Sequence, residues 1–138
     1  MNKTVEVITN CGNDTKHEDT KEINSPKYPS NYLTKVNCFW KLVAPTGRRI
    51  RLHLNELKFD TQKCRLYHYL RISDGPSSSS KQLHKLHEIN KPMDVVSSTE
   101  YLYVNMVISY YGSCSKTIND RGFHLDYSYG IIFNSNRI

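Results

Sequence analysis

The sequence predicts an all-β fold, a sandwich or a barrel, from alternating apolar and polar residues and from turn-forming residues between the alternating segments. Four segments alternate as half-buried strands do: Ile50 to Leu54, Leu70 to Ile72, Leu102 to Ile108 and Phe123 to Tyr127. Successive strand residues point to opposite faces, so one set of each segment is expected in a core. Many short strands separated by turns are typical of both architectures.

Prolines and glycines separate the alternating segments. Pro26 and Pro29 exclude a central strand there, because neither has a backbone N–H to donate. The sequence Pro45-Thr46-Gly47 predicts a tight turn, and Asp74-Gly75-Pro76 predicts a second break. The segment from Lys81 to Ile89 fits either a short helix or a strand with His84 facing outward.

Length and composition indicate one domain that is neither disordered nor membrane-spanning. The chain has 138 residues, of which 38% are hydrophobic and 23% charged. No apolar run approaches the roughly 18–20 residues of a transmembrane helix, so no membrane insertion is expected. The N-terminus lacks the apolar core of a signal peptide, which fits a cytosolic protein or a secreted chain without its leader.

The cysteines favour the secreted interpretation. Cys11, Cys38, Cys64 and Cys114 form no CxxC pair, so a zinc site has little support and two structural disulfides are expected. Three pairings are open, and each bond would stabilise the fold by about 3–4 kcal/mol. The sequons at Asn2 and Asn13 are candidate glycosylation sites that agree with a secretory route.

The charge favours acidic partners. The formal net charge is +6, which suits sulfated glycans, phospholipid headgroups or acidic proteins, although ordinary surface lysines of a soluble domain are the simpler interpretation. Arg48 and Arg49 could form a cationic tip for a glycan, although a solvated hairpin end is the simpler interpretation. Nucleic acid is not expected as a partner of a disulfide-bonded secreted domain.

No catalytic motif occurs in the chain. It has no G-x-S-x-G, no HExxH and no glycine-rich phosphate loop. His84 and His87 lack a third zinc ligand. We therefore expect neither enzymatic activity nor a cofactor. The candidates for partner binding are instead tyrosines near predicted loops, because exposed aromatic side chains are good contact anchors: Tyr67, Tyr69, Tyr110 and Tyr111.

The order of several short motifs resembles the CUB domain family from about Cys11 to Tyr129. The most specific is INSPKYPSNY, from Ile23 to Tyr32, which is similar to the family's I-x-SP-x-YP-x-NY. The others, in order, are Cys38-Phe39-Trp40, Pro45-Thr46-Gly47, the segment YLRISDG from Tyr69 to Gly75, Ser97-Ser98, and the segment GFHLDY from Gly122 to Tyr127.

The resemblance implies a compact, jelly-roll-like sandwich of two antiparallel sheets. It also implies a Cys11–Cys38 disulfide, with Trp40 in the core beside it. The expected organisation is a flexible lead-in over residues 1–10, a CUB-like domain over 11–130 and a tail over 131–138.

Many CUB domains bind Ca²⁺ through three acidic side chains, and this chain departs from that pattern. By position the three fall on Asp60, His68 and Ser109, so only one carboxylate remains. Because Ca²⁺ prefers several anionic oxygen ligands, we predict that this site is lost, which a calorimetric Ca²⁺ titration measures directly.

The function that the resemblance implies is a non-catalytic, extracellular protein-binding or adhesion module, part of a larger secreted or cell-surface protein. One alternative is a free-standing secreted glycan- or glycosaminoglycan-binding protein similar to spermadhesins. Another is an accessory domain of a secreted protease.

The cysteines allow a test of the second disulfide. The family's usual fourth cysteine position is occupied by Leu86-His87-Glu88, and the fourth cysteine here is Cys114. We predict a Cys64–Cys114 bond joining two loops that Ca²⁺ clamps in relatives. Non-reducing peptide mapping should recover these two cysteines in one linked peptide. Linkage of Cys64 to Cys11 or Cys38, or a free Cys64 thiol, would contradict it.

Overall fold

A computed structural model of the chain describes residues 7–8, 15–16, 21–25, 35–59, 68–108 and 122–131, and every regular element within them is a β-strand. No helix in these ranges is long and apolar enough to cross a membrane. The strands are β1 (Val7–Ile8), β2 (Thr15–Lys16), β3 (Lys21–Asn24), β4 (Lys35–Val43), β5 (Arg48–Lys58), β6 (His68–Asp74), β7 (Lys81–Leu86), β8 (Met93–Val96), β9 (Tyr101–Ile108) and β10 (Gly122–Ile131).

The strands form two sheets. Sheet 1 has the antiparallel order β4-β9-β6-β7, and the two-residue strands β1 and β2 pair in parallel with β4. Sheet 2 has the antiparallel order β3-β10-β5-β8. The predicted two-sheet antiparallel sandwich is therefore confirmed.

Alternate residues of both sheets build one core. Trp40 of sheet 1 contacts Phe123 of sheet 2 edge to face, with ring centroids 5.4 Å apart and planes at 90°. Both are fully buried, as predicted for Trp40 as a core anchor. Burying a large apolar side chain contributes about 1.5–3 kcal/mol. The core also contains Ile23, Cys38, Leu42, Ala44, Ile50, Leu52, Leu54, Leu57, Phe59, Leu70, Ile72, Val95, Leu102, Val104, Met106, Ile108, Leu125 and Tyr127.

Cys38 is buried in this core and is disulfide-bonded. The other three cysteines lie outside the described residues. The Cys11–Cys38 and Cys64–Cys114 pairings therefore stay predictions.

Two turns follow the predicted chemistry. The Arg48 amide donates to the Pro45 carbonyl at 3.0 Å, and Gly47 has a φ of +84°, which closes the tight turn between β4 and β5. At Gly75 the φ is +155°, and a Cβ would collide with the side chain of Ser80. Only glycine fits at this position.

One expectation is corrected. The segment from Lys81 contains strand β7, but His84 lies opposite buried Ile72 and is half-buried rather than outward. An irregularity between Ile72 and Ser73 shifts the register of this edge, which sequence alternation alone does not reveal. The expected lead-in over residues 1–10 contains β1, and β2 and β3 follow in the described parts of the N-terminal segment. Backbone pairing recruits these short segments although their apolar pattern is weak. The domain boundaries themselves stay predictions.

Two buried serines complete the hydrogen bonding of sheet 2. Ser25 Oγ accepts from the Phe123 amide at 2.8 Å, and the Ser25 amide donates to the Phe123 carbonyl at 3.0 Å. Ser97 Oγ accepts from the Ile50 amide at 2.8 Å and donates to the Thr99 carbonyl. Both side chains thus satisfy backbone groups that water does not reach.

The Ser25 hydroxyl allows a stability test. We expect Ser25→Ala to lower the free energy of unfolding by about 1–3 kcal/mol, because it leaves the buried Phe123 amide without an acceptor. Chemical denaturation of the oxidised chain measures this change. The control Ser78→Ala removes an exposed hydroxyl and should stay within about 0.5 kcal/mol of the parent. Equal effects of the two substitutions would contradict the role assigned to Ser25.

Candidate functional site

The outer face of sheet 1 carries aromatic and cationic side chains. Residues that alternate with the core positions of β4, β6, β7 and β9 point away from the core. We call this surface the aromatic-cationic face; it comprises Phe39, Lys41, Tyr69, Arg71, Lys85, Tyr101 and Tyr103.

A stacked aromatic pair, one ring exposed and one half-buried, lies at the β4–β9 side of this face. The rings of Phe39 and Tyr103 stack with centroids 5.5 Å apart and an interplanar angle of 11°. Phe39 is 37% exposed, because its neighbours Cys38 and Trp40 take the inward positions of β4. The hydrophobic side chain therefore remains in solvent, where a partner could cover it.

The cations of this face lie over its aromatic rings. Lys41 Nζ is 5.9 Å from the Tyr101 ring centroid. The Tyr69 ring has two cations, with Arg71 Cζ at 5.4 Å and Lys85 Nζ at 4.6 Å from its centroid. These distances are typical of cation–π contacts. Within the described ranges Lys41, Arg71 and Lys85 make no ion pair.

Carboxylates are distributed unequally between the two sheets. Strands β4, β6, β7 and β9 contain a single acidic residue, Asp74, which accepts from the Ser98 amide beyond the end of β6. Strands of sheet 2 contain four, Glu22, Glu56, Asp94 and Asp126. Among the described residues, Lys41, Arg71 and Lys85 of sheet 1 thus have no acidic partner, whereas Arg51 and Lys58 of sheet 2 do.

The outer face of sheet 2 has a mixed polar surface. Glu22, Asp126, His53 and Asp94 are successive cross-strand partners from β3 to β8. His53 Nδ1 lies 2.5 Å from Asp94 Oδ1, and Arg51 lies 3.6 Å from the other oxygen. The hydrogen bond to Asp94 raises the pKa of His53 above its ordinary value, and the negative charge of Asp126 acts in the same direction.

The structure separates the candidate binding residues that it describes. Tyr69 lies near the β9 terminus at Ile108, whereas Arg48 and Arg49 begin β5 after the turn that follows Val43, at the opposite end of the sandwich. These three residues therefore cannot belong to a single binding cluster. Several other candidates lie outside the described residues: Asn2, Cys11, Asn13, Asp60, Cys64, Tyr67, Ser109, Tyr110, Tyr111 and Cys114.

Of the three positions carried over from the family's calcium site, only His68 is described. Its side chain is buried at the start of β6, and its carbonyl accepts a hydrogen bond from His87 Nδ1 at 2.8 Å. The part of the chain that the structure describes holds no group of three or more His, Cys, Asp or Glu side chains placed for a metal ion. The expected loss of the calcium site stays a prediction.

Sequence reasoning missed most of the aromatic-cationic face. Phe39, Arg71 and Lys85 were not among the candidates, although each occupies a position that alternates with core residues. Alternation therefore contained the signal for the face. The ring contacts of this face, and the distance of its cations from acidic residues, depend on which strands are neighbours. They could be known only once the order of strands in the sheet was known.

Comparison with known proteins finds similarity to one domain family and to larger extracellular relatives. A model of the CUB domain family matches residues 11–127. Bone morphogenetic protein 1 of Xenopus laevis is 32% identical over 117 residues, which cover 85% of this chain and 16% of that protein. The chain thus spans a small part of this relative's length.

Solved structures share the fold. The full extracellular region of zebrafish Gpr126/Adgrg6 aligns with a TM-score of 0.71 and 18% identity, covering 88% of this chain and 15% of that one. The Ca²⁺-bound CUB2 domain of MASP-1 aligns with a TM-score of 0.67 and 20% identity, covering 86% of this chain and 99% of that one.

The His53–Asp94 pair makes a testable prediction. A raised folded-state pKa means that the pair stabilises the fold when His53 is protonated, and that this contribution is lost as the pH rises through the raised pKa. NMR titration should give His53 a pKa above its ordinary value, and Asp94→Asn should lower it. Asp126→Asn should lower it less, because Asp126 contributes only through its charge. A His53 pKa that does not respond to Asp94→Asn would contradict this assignment.

Proposed function

Because the chain belongs to the CUB domain family, we propose that it is a non-catalytic extracellular module that binds a partner protein through its aromatic-cationic face. CUB domains are interaction modules of extracellular proteins, and the matched Gpr126/Adgrg6 structure is an extracellular region. Family membership thus supports the class of function, while the choice of surface depends on the geometry of sheet 1.

The observation that carries the choice of surface is the stacked Phe39–Tyr103 pair, in which Phe39 is exposed, on a face without outward carboxylates in its described strands. Protein interfaces are enriched in Tyr, Phe and Arg at their centres and depleted of Asp and Glu. Aromatic and arginine side chains also dominate measured binding energies. The face matches this composition, whereas the outer face of sheet 2 carries paired acids and bases.

The setting of the module is also proposed. It acts as part of a larger secreted or cell-surface protein, in adhesion or beside a secreted protease, with Asn2 and Asn13 as glycosylation sites and without a Ca²⁺ ion. Neither nucleic acid nor membrane insertion has a place in this function. The match covers 16% of the length of bone morphogenetic protein 1, which agrees with a role as one module of a larger protein.

A sulfated glycan is the second candidate partner, favoured by the ring-bound cations Lys41, Arg71 and Lys85. Sulfate groups accept charge-assisted hydrogen bonds from such side chains. A heparin column run at rising salt tests this alternative. Elution well above physiological ionic strength would support a glycan, and elution near it would remove this candidate.

Two exposed apolar side chains on opposite sheets provide a matched test. Phe39 is 37% exposed on sheet 1, and Val96 is 47% exposed on sheet 2. The immobilised, oxidised chain is mixed with extracellular proteins, and the bound proteins are quantified by mass spectrometry. We expect Phe39→Ala to reduce specific capture by about tenfold or more, as loss of an interface anchor does. Val96→Ala should leave capture unchanged.

Both variants must retain the unfolding midpoint of the parent chain. Equal capture by Phe39→Ala and the parent chain would show that the aromatic-cationic face is not the binding surface. Loss of capture with Val96→Ala alone would assign the surface to sheet 2.

A further inference from the structure

Two cations lie directly opposite each other on the aromatic-cationic face. Arg71 of β6 and Lys85 of β7 are cross-strand partners, so their side chains leave the same side of the sheet. Like charges at directly opposite positions destabilise a strand pair. Neither cation makes an ion pair within the part of the chain that the structure describes.

The same two cations share one aromatic ring. Arg71 Cζ and Lys85 Nζ both lie within cation–π distance of the Tyr69 centroid, at 5.4 and 4.6 Å. The Arg71 Nε atom is buried and has no hydrogen-bond partner among the described residues. Tyr69 thus restrains two positive groups side by side, and an anion between them would relieve their repulsion.

We propose that Arg71 and Lys85 form an anion-binding subsite that receives carboxylates of an extended acidic segment of the partner protein. The proposal rests on the proposed function and specifies the chemistry of the partner. The guanidinium of Arg71 presents a planar fork that matches a carboxylate, and Lys85 supplies a second point charge. Charge complementarity selects the occupant, because the four strands contain five Lys and Arg residues against a single carboxylate.

The composition of the rest of the face favours a protein segment over a glycan. Its four aromatic residues, Phe39, Tyr69, Tyr101 and Tyr103, outnumber its three cations. Two outward valines adjoin them, because Val43 is the cross-strand partner of Tyr101 and Val107 that of Tyr69. A sulfated glycan carries dense charge and little apolar surface, so it would leave these positions uncovered. An acidic segment with interspersed apolar side chains would cover the rings of Phe39 and Tyr103 while its carboxylates contact Arg71 and Lys85. A second copy of this chain is a poorer partner, because each copy carries a net charge of +6.

Binding of a defined probe tests this subsite. The probe is a fluorescent synthetic peptide of alternating glutamate and leucine, compared with its glutamine counterpart and with a heparin-derived oligosaccharide. We expect anisotropy titrations with the oxidised chain to give at least about tenfold tighter binding of the glutamate peptide than of the glutamine peptide. Arg71→Gln or Lys85→Gln should each weaken it by about tenfold, and the backbone amides of β6 and β7 should shift in NMR spectra.

The controls remove the same charges from sheet 2. Arg51 lies beside Asp94, and Lys58 lies beside Glu88. Arg51→Gln and Lys58→Gln should therefore leave peptide binding within about twofold of the parent after correction for net charge. Equal weakening by the control pair and by Arg71→Gln and Lys85→Gln would overturn the subsite. Binding of the oligosaccharide without binding of the acidic peptide, or self-association of the chain that Arg71→Gln abolishes, would also overturn it.

The outcome separates this inference from the proposed function. If Phe39→Ala abolishes capture of extracellular proteins while Arg71→Gln and Lys85→Gln do not, the face binds a protein, but the partner does not bind through an acidic segment at Arg71 and Lys85. If none of the three substitutions affects capture, the surface itself is wrong.

Discussion

The contact of Trp40 with Phe123 is the interaction on which the two outer faces depend. It joins the inner faces of both sheets, and the edge-to-face arrangement fixes the distance and relative position of β4 and β10. Because strand residues alternate between faces, a slip of one residue in β4 would exchange Trp40 for Phe39 in the core. Burial of the larger indole therefore determines that Phe39 is exposed. The candidate interaction surface is a consequence of core packing as much as of its own residues.

The two outer faces differ because the acidic residues of the strands lie mostly in sheet 2, and strands that are distant in the sequence contribute to the same sheet. Sheet 2 pairs its cations with nearby acids, as Arg51 and His53 do with Asp94. Such exposed pairs contribute little stability, yet they neutralise the local field. Sheet 1 instead places Lys41, Arg71 and Lys85 over aromatic rings, which attract the cations without neutralising their charge. An uncompensated cation in such a position is suited to binding an external anion.

Several motif residues have structural roles that explain their position in the sequence. Ser25 belongs to the segment before Pro26, and Phe123 belongs to the last motif of the chain, yet the two are joined by three hydrogen bonds. Gly75 allows the backbone to pass Ser80 at the β6–β7 hairpin. These residues support the scaffold. Phe39 and Arg71 supply the candidate chemistry, so recognition of the motifs alone predicts the fold more completely than the binding surface.

The sequence by itself determined the all-β class, the turn at Gly47 and the inward set that includes Leu125 and Tyr127, because alternation and turn chemistry are local properties. Resemblance of ordered motifs added the two-sheet arrangement and the buried Trp40. Only the tertiary structure decided that Arg71 lies opposite Lys85, that both share Tyr69, and that Asp94 is the partner of His53. These relations join residues from different strands, and strand order and register arise from packing of the whole core. No local pattern contains that information, which is why the choice of a strand for β7 and the side-chain pairs of the aromatic-cationic face emerged only from the assembled sheets.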